Sequence, residues 1–264
     1  MIHAWLDLPL GGILGCLALF YAATGLLIFW LMFHSPLRDP ICTCAGIVAP
    51  YFGAIALLFS LLTGFLAADI ADRNRQAARV VQSEAEALTS MHALSIAAVS
   101  DMAAVRGAIR AYARSVDEDE WPLTALGQSA AKTEAALSAL MQAVADPKIA
   151  RDAGQAVHTA LVNLSLRIAG ARADRLALGA DRTNEIKWFT VLFLCLMTQV
   201  SIGIVHLERP RANALALAIF SIAAVVALSM IAEQESPFDG TLQISKTPLE
   251  NVLKLAPAPN NPNG

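Results

Sequence analysis

Charge is scarce in this chain: Asp, Glu, Lys and Arg make up 16% of its 264 residues, well under the quarter or so usual in soluble domains. Four stretches, 8–33, 45–68, 188–205 and 212–232, contain none of these residue types. A net charge of -3 and the lack of any basic patch with interleaved aromatics exclude the electrostatic footprint of a nucleic-acid binder. Gly-x-Ser-x-Gly, His-Glu-x-x-His and a phosphate-cradling Gly-Lys-Ser/Thr are all missing, and no carboxylates cluster inside the uncharged stretches. Nothing therefore points to an enzyme, a cofactor or a resident metal.

What fills the chain instead is apolar: 56% of residues are hydrophobic, and the mean hydropathy is +0.54. Each uncharged stretch can cross a bilayer as a helix, because about 20 apolar residues span a hydrocarbon core of about 30 Å and bond every backbone group internally. The first is long enough to tilt, and Gly11, Gly12, Gly15 and Gly25 along it offer close helix contact. A cleaved signal peptide fits it poorly, since the apolar run is too long and residues 1–7 carry no Lys or Arg; an uncleaved anchor is expected. Cys16 and Cys195 fall inside spans, where Cys behaves as a small hydrophobe. Cys42, Cys44 and His34 share a short loop, a set able to hold a soft metal or cross-link subunits, with ordinary loop residues as the preferred reading.

Residues 69–187 are polar enough for water, with 14 Lys or Arg against 15 Asp or Glu, and their apolar residues recur at helical spacing. Val81, Ala85, Leu88, His92 and Val99 follow one face; Val105, Ile109, Tyr112 and Val116 form a second stripe, with Ser100 and Asp101 as candidate N-caps. Leu137, Leu140, Met141 and Val144 mark a third helix, broken at Asp146-Pro147, and Val157, Leu161, Leu164 and Ile168 a fourth. No stretch alternates as a strand does. The predicted fold is all-α: four transmembrane helices with a helical aqueous domain between the second and third. Its boundaries are 1–68 for spans one and two, 69–187 for the aqueous domain, 188–232 for spans three and four, and 233–264 for a partly disordered tail.

No Pro or Gly punctuates the passage out of the second span, so that helix is expected to run on into water. Trp188 beside Lys187 suits one headgroup boundary and His206 the other. Eight Lys or Arg lie near the spans on the side of the aqueous domain and three opposite. This favours a cytoplasmic domain and termini, in a bacterial inner membrane given the Ala-rich composition.

Four features are candidates for function. Asp117-Glu118-Asp119-Glu120 is compact enough to attract a divalent cation, with a charged turn between two helices as the preferred reading, and Trp121-Pro122 after it reads as an apolar anchor. Arg172 and Arg175, one turn apart, are able to attract anions or lipid phosphates, with a solvated face or an internal salt bridge as the preferred alternatives. In the second span Gly53, Ala56, Ser60, Thr63 and Ala67 recur at steps of three and four, forming a narrow face of small side chains. That face suits either close helix packing or an apolar conduit around a symmetry axis.

Ser236-Pro237-Phe238-Asp239-Gly240, followed by Thr247-Pro248-Leu249, comes directly after the last span and resembles the Pro-Phe-Gly segment after the final membrane helix of bestrophins. The order of spans and helical domain agrees from about Leu17 to Leu249. Tyr112, Glu120-Trp121 and the Arg172–Arg175 pair are similar to features of the bacterial bestrophin-like domain family. The resemblance implies a homo-oligomer, a pentamer, of channel ancestry, with Glu120, Trp121, Pro237, Phe238 and Gly240 in structural roles. Pro50 matches the proline before the bestrophin pore neck, which places Gly53 and Leu57 near it, although the large aromatics of that neck are missing here. Bestrophins follow Pro-Phe-Gly with an acidic cluster that holds calcium; here Asp239 precedes Gly240 and Leu242-Gln243-Ile244 follows, so no calcium site is implied. Two functions fit: a bestrophin-like ion channel, for anions if selectivity follows the arginines, or a non-conducting sensor or scaffold whose helical domain binds a partner or ligand. Membrane lipid and a permeating ion are the expected partners.

Overall fold

The computed structural model describes residues 3–6, 8–36, 49–98 and 100–255. They form the helices α1 (His3–Leu6), α2 (Leu10–Phe33), α3 (Ala49–Ala97), α4 (Ala103–Ser115), α5 (Trp121–Thr124), α6 (Ala131–Val144), α7 (Pro147–Ala153), α8 (Gln155–Ala180), α9 (Glu185–Val205), α10 (Pro210–Glu233) and α11 (Thr247–Leu255). No strand occurs among the described residues, and four helical stretches are long and apolar enough to cross a membrane. The chain is an all-α membrane protein. Cys42, Cys44, Val99 and the tail beyond residue 255 lie outside the described residues, as does the side chain of Pro50.

The second-span helix runs for 49 residues, because residues 65–97 hold no Gly or Pro and abound in Ala, Leu, Arg, Gln and Glu, all strong helix formers. The chain divides into two compact units: residues 1–72, 182–235 and 240–242 form one, and residues 73–181, 236–239 and 243–264 the other. Ahead of the ending after Lys254 the chain contributes α11, whose Leu249 and Val252 are buried in the core of the second unit. Their spacing of three is one turn of an amphipathic helix that Thr247-Pro248 starts.

In the first unit Ile13, Leu17 and Tyr21 of α2 pack with Leu66 and Ile70 of α3, Val191 and Cys195 of α9 and Leu228 of α10. Polar bridges add direction where lipid leaves no hydrophobic drive between helices. Gln199 on α9 donates to the Tyr21 carbonyl at 3.1 Å and to Ser221 Oγ at 2.9 Å, and accepts from Thr24 Oγ1 at 2.8 Å. Asn213 on α10 donates to the Gly203 carbonyl at 2.9 Å. Of the glycines expected to allow close contact, only Gly25 faces another helix, 3.6 Å from Gln199; a Cβ on Gly11 or Gly15 meets nothing, and one on Gly12 meets only Leu8. The tight approach is at Gly203, where a Cβ would lie 2.5 Å from Met32. Trp188 is fully buried, donating to Glu235 Oε2 at 3.2 Å and meeting Trp5 edge-on, so it is a core residue and not a headgroup anchor.

In the second unit Val81, Ala85, Leu88 and Met91 of α3 pack with Val105, Ile109 and Tyr112 of α4, Leu137, Leu140 and Val144 of α6, and Leu161 and Ile168 of α8. Each such large apolar side chain contributes about 1.5–3 kcal/mol on burial. Asp101 accepts from the Ala103 amide at 3.0 Å at the start of α4, and Asp146 caps α7 by accepting from Lys148 N at 2.9 Å. Residues 116–120, expected as a turn, continue α4 as one π-helical turn: the Trp121 amide reaches back five residues to the Val116 carbonyl. Tertiary pairing of Asp117, Asp119 and Glu120 overrides the turn propensity of the run, as described below.

Gly179 on α8 touches the Thr124 carbonyl so closely that a Cβ would sit 1.8 Å from the oxygen. Gly179→Ala is expected to cost about 3 kcal/mol and to lower the melting temperature by about 10 °C. Gly107→Ala, at a helical position with nothing within 4 Å, is expected to raise it slightly. Thermal unfolding in detergent compares the two.

Candidate functional site

Along the second span Phe52, Phe59, Leu62, Leu66 and Ile70 pack into the subunit, with Phe59 edge-on to Phe220 at 5.9 Å. Their steps of seven, three, four and four trace one stripe. The small residues lie to its side: Gly53 and Ser60 are exposed, and Ala56, Thr63 and Ala67 half-buried. Leu57 is 69% exposed and Phe65 62%. A Cβ on Gly53 or Gly64 meets nothing within 4 Å. Within one subunit this face is open at Gly53 and Ser60 and partly covered at Ala56, Thr63 and Ala67.

The second unit holds a buried ionic network. Arg175 of α8 donates from Nε to Glu84 Oε2 at 2.8 Å, from Nη2 to Glu120 Oε1 at 2.8 Å and from Nη1 to Thr124 Oγ1 at 2.9 Å. Arg172, one turn earlier, donates from Nε to both Glu120 oxygens at 3.0 and 3.1 Å, from Nη2 to Glu120 Oε2, and from Nη1 to Glu134 Oε2 at 2.8 Å. The Tyr112 hydroxyl donates to Glu84 Oε1 at 2.6 Å, and the Ala130 amide to Glu120 Oε2 at 3.2 Å. Glu84, Glu120 and Arg175 are completely buried, and Arg172 nearly so.

Two arginines against two buried glutamates leave the set neutral. Burial raises the Glu120 pKa, but the Arg172 hydrogen bond and the Arg175 charge outweigh it and hold the carboxyl below its ordinary value. Burial, then the neighbouring Glu84, pushes the Tyr112 phenol well up, which keeps it a donor. For Arg172 and Arg175 burial works against the charge, while bonds to Glu120 and Glu84 respectively, with others, more than compensate and raise both. Arg172 and Arg175 are thus consumed by internal salt bridges, and the anion or lipid-phosphate reading is replaced by the internal one.

The rest of the acidic run is also engaged. Asp117 pairs with Lys246 at 2.6 Å, Asp119 with Lys132 at 2.8 Å, and Glu118 lies 3.9 Å from Arg114. No group of metal-binding side chains occurs among the described residues. Trp121 anchors the far side of the network, its ring 6.0 Å from the Arg175 guanidinium carbon and edge-on to Phe238 at 5.7 Å. Pro237 is buried, and Gly240, at φ +86°, adopts a conformation other residues resist.

Glu84 and Thr124 escape a reading by motif. Glu84 carries a signal nonetheless: three residues after Val81 and four before Leu88, it sits on an apolar helix face.

A model of the Bestrophin-like domain matches residues 19–249. The chain belongs to the Bestrophin-like family. Its fold is similar to that of a bacterial Bestrophin homolog from Klebsiella pneumoniae. A tyrosine-to-alanine variant of that protein superposes with a TM-score of 0.70 at 12% identity, over 90% of this chain and 98% of the other. The form solved by Zn-SAD phasing gives 0.68 at 11%, over 91% and 97%. A crystal structure described as a membrane protein, in a proline-to-alanine variant, gives 0.70 at 11%, over 92% and 98%. No curated protein matches the chain.

Arg175→Ala would strand two buried carboxylates, and is expected to cost about 3–5 kcal/mol. Because the Glu120 pKa is depressed by folding, its contribution is complete above the ordinary value of 4.5 and is lost as pH falls through the lowered one. The melting temperature is expected to drop below pH 4.5, less steeply in Glu120→Gln; pH-resolved thermal unfolding measures both.

Proposed function

We propose that the chain assembles into a homo-oligomeric ion channel of the bestrophin kind, with the second span nearest the axis and Gly53, Ala56, Ser60, Thr63 and Ala67 toward the conduit. The observation that carries this reading is the small-residue face itself, exposed at Gly53 and Ser60 beside a separate stripe that does the packing within the subunit. An apolar constriction gates by wetting and needs no charged ring. The resemblance to bestrophins supports five subunits. The charge asymmetry supports residues 69–187 as a cytoplasmic helical domain, and the Ala-rich composition a bacterial inner membrane as the location. Arg172 and Arg175 do not supply anion selectivity, since their donors are spent inside the fold.

A non-conducting sensor or scaffold is the second reading. The exposed Leu57, Leu58, Leu61 and Phe65 favour it, being suited to dry packing between subunits.

Halide or potassium flux through liposomes carrying the purified oligomer separates the two. Wild-type flux is expected, and Gly53→Trp with Ala56→Trp is expected to abolish it at unchanged oligomer size, since the space at Gly53 admits a larger side chain within the subunit. A stable oligomer that passes neither ion gives the lead to the sensor or scaffold.

A further inference from the structure

On the face of the first unit where α2 and α10 lie side by side, the two helices leave an open furrow of about 600 Å³. Its floor is made of small residues, Ala18, Ala22 and Gly25 on α2 and Ala214, Ala218 and Ser221 on α10. Steps of four and three keep each trio on one face of its helix. The walls are large and apolar, and Leu26 on one side and Ile222 and Val226 on the other are each more than half exposed. The hydroxyl on the floor is spent inside the unit, since Ser221 Oγ donates to the Leu217 carbonyl at 2.7 Å and accepts from Gln199 Nε2 at 2.9 Å. Tyr21, below the floor, is wholly buried and packs with Cys195 in the core. A guest at depth therefore meets apolar surface. From Ala18 to Phe29 the furrow follows α2 for eleven residues, roughly 16 Å at 1.5 Å each, which is the depth of one leaflet in a hydrocarbon core of about 30 Å. Met32 of α2 packs with Leu217 of α10, so the end of α2 lies beside the start of α10. Trp30, 51% exposed, stands at that end of the furrow and is of a residue type that settles at the headgroup level. Arg211 stands there too, exposed and one turn before Ala214 on the same face of α10. It makes no hydrogen bond or ion pair among the described residues.

We propose that this furrow binds one acyl chain of an anionic phospholipid, with the phosphate at Arg211 and the chain laid along α2 and α10 against Ala22, Gly25 and Ala218. Size and charge select this occupant. Thirteen residues line the furrow, short of the roughly 20–30 a side that a stable protein interface uses, while its volume falls within the roughly 300–1,000 Å³ of small-molecule sites. A guanidinium at the mouth complements a phosphate. Inside the bilayer no hydrophobic drive separates a chain in the furrow from one outside it; the furrow gains by enclosing its chain on three sides with close dispersion contacts. The site lies wholly within the first unit and does not rest on the channel reading.

The test is photo-crosslinking of the full-length protein in phosphatidylcholine liposomes that hold a trace of phosphatidylglycerol with a diazirine halfway along one acyl chain, the labelled peptides being read by mass spectrometry. Labelling is expected to concentrate on residues 18–29 and 214–226, at least fivefold over the stretch of α9 around Phe189 and Phe193, which are also exposed. Ala22→Leu with Ala218→Leu fills the floor at two exposed positions and is expected to cut that labelling at least fivefold. Ala23→Leu, at an exposed position beside the furrow, is expected to leave it within a factor of two. Should the double variant not fold, Ala22→Leu alone takes its place. Arg211→Gln is expected to lower labelling roughly fivefold for the phosphatidylglycerol probe, and less than twofold for a phosphatidylcholine probe with the same chain. Even labelling of α2, α9 and α10, or labelling that the filled furrow does not change, overturns the site. An equal effect of Arg211→Gln on both probes overturns the anionic headgroup. Absence of labelling in the furrow overturns the lipid, and an oligomer that then shrinks in the filled variant gives its place to a second copy of the chain.

Discussion

The helical unit depends on the bidentate grip of Arg175 and Arg172 on Glu84 and Glu120. Withdrawing four charges from water costs several kcal/mol for each ion, and only complete pairing of donors with acceptors offsets that cost. The geometry is accordingly demanding. Glu84 comes from α3, Tyr112 from α4, Glu120 from the π turn, Thr124 from α5 and both arginines from α8, so no two of these elements can slip along each other without stranding a charge. The network therefore selects a single register, whatever its net contribution to stability, and the apolar core then packs around that register.

The π turn is part of the same constraint. A hydrogen bond closed over five residues widens the helix by one residue. Asp117, Glu118 and Asp119 reach Lys246, Arg114 and Lys132, all partly exposed, while Glu120 turns fully inward. Sequence reasoning found the acidic run and the tryptophan after it, but assigned a charged turn between two helices. Arg114 lies only four residues from Glu118, but the partners of Asp119, Glu120 and Asp117 lie 13, 52 and 129 residues away in sequence, beyond the range of any local pattern.

Much else was legible. Spans free of charge declare themselves by length, and most residues of the four amphipathic stripes are buried, Met141, Val157 and Leu164 being half-buried. Arg172 and Arg175 could have been placed as well: Leu161, Ser165, Ile168, Arg172, Arg175 and Gly179 advance by four, three, four, three and four, so the arginines continue a buried stripe and all six are buried. A charged residue in phase with an apolar stripe predicts a buried partner of opposite sign, and Glu84 is the same signal on α3. The close helix approach at Gly203 was less accessible, because the first span offers four glycines and sequence cannot tell which glycine faces a neighbour. The α11 helix was hidden by its setting between a loop and a Pro-Asn tail.

Within the second unit the buried residues of α3 keep phase with one another: Ala77 and Leu88 are spaced by eleven, as are Arg73, Glu84 and Ser95. An eleven-residue spacing is three turns at about 3.67 residues each, close to the natural period of a helix. Glu84 therefore stays beside the apolar stripe of its own helix, and its charge enters the core where Arg175 and Tyr112 meet it.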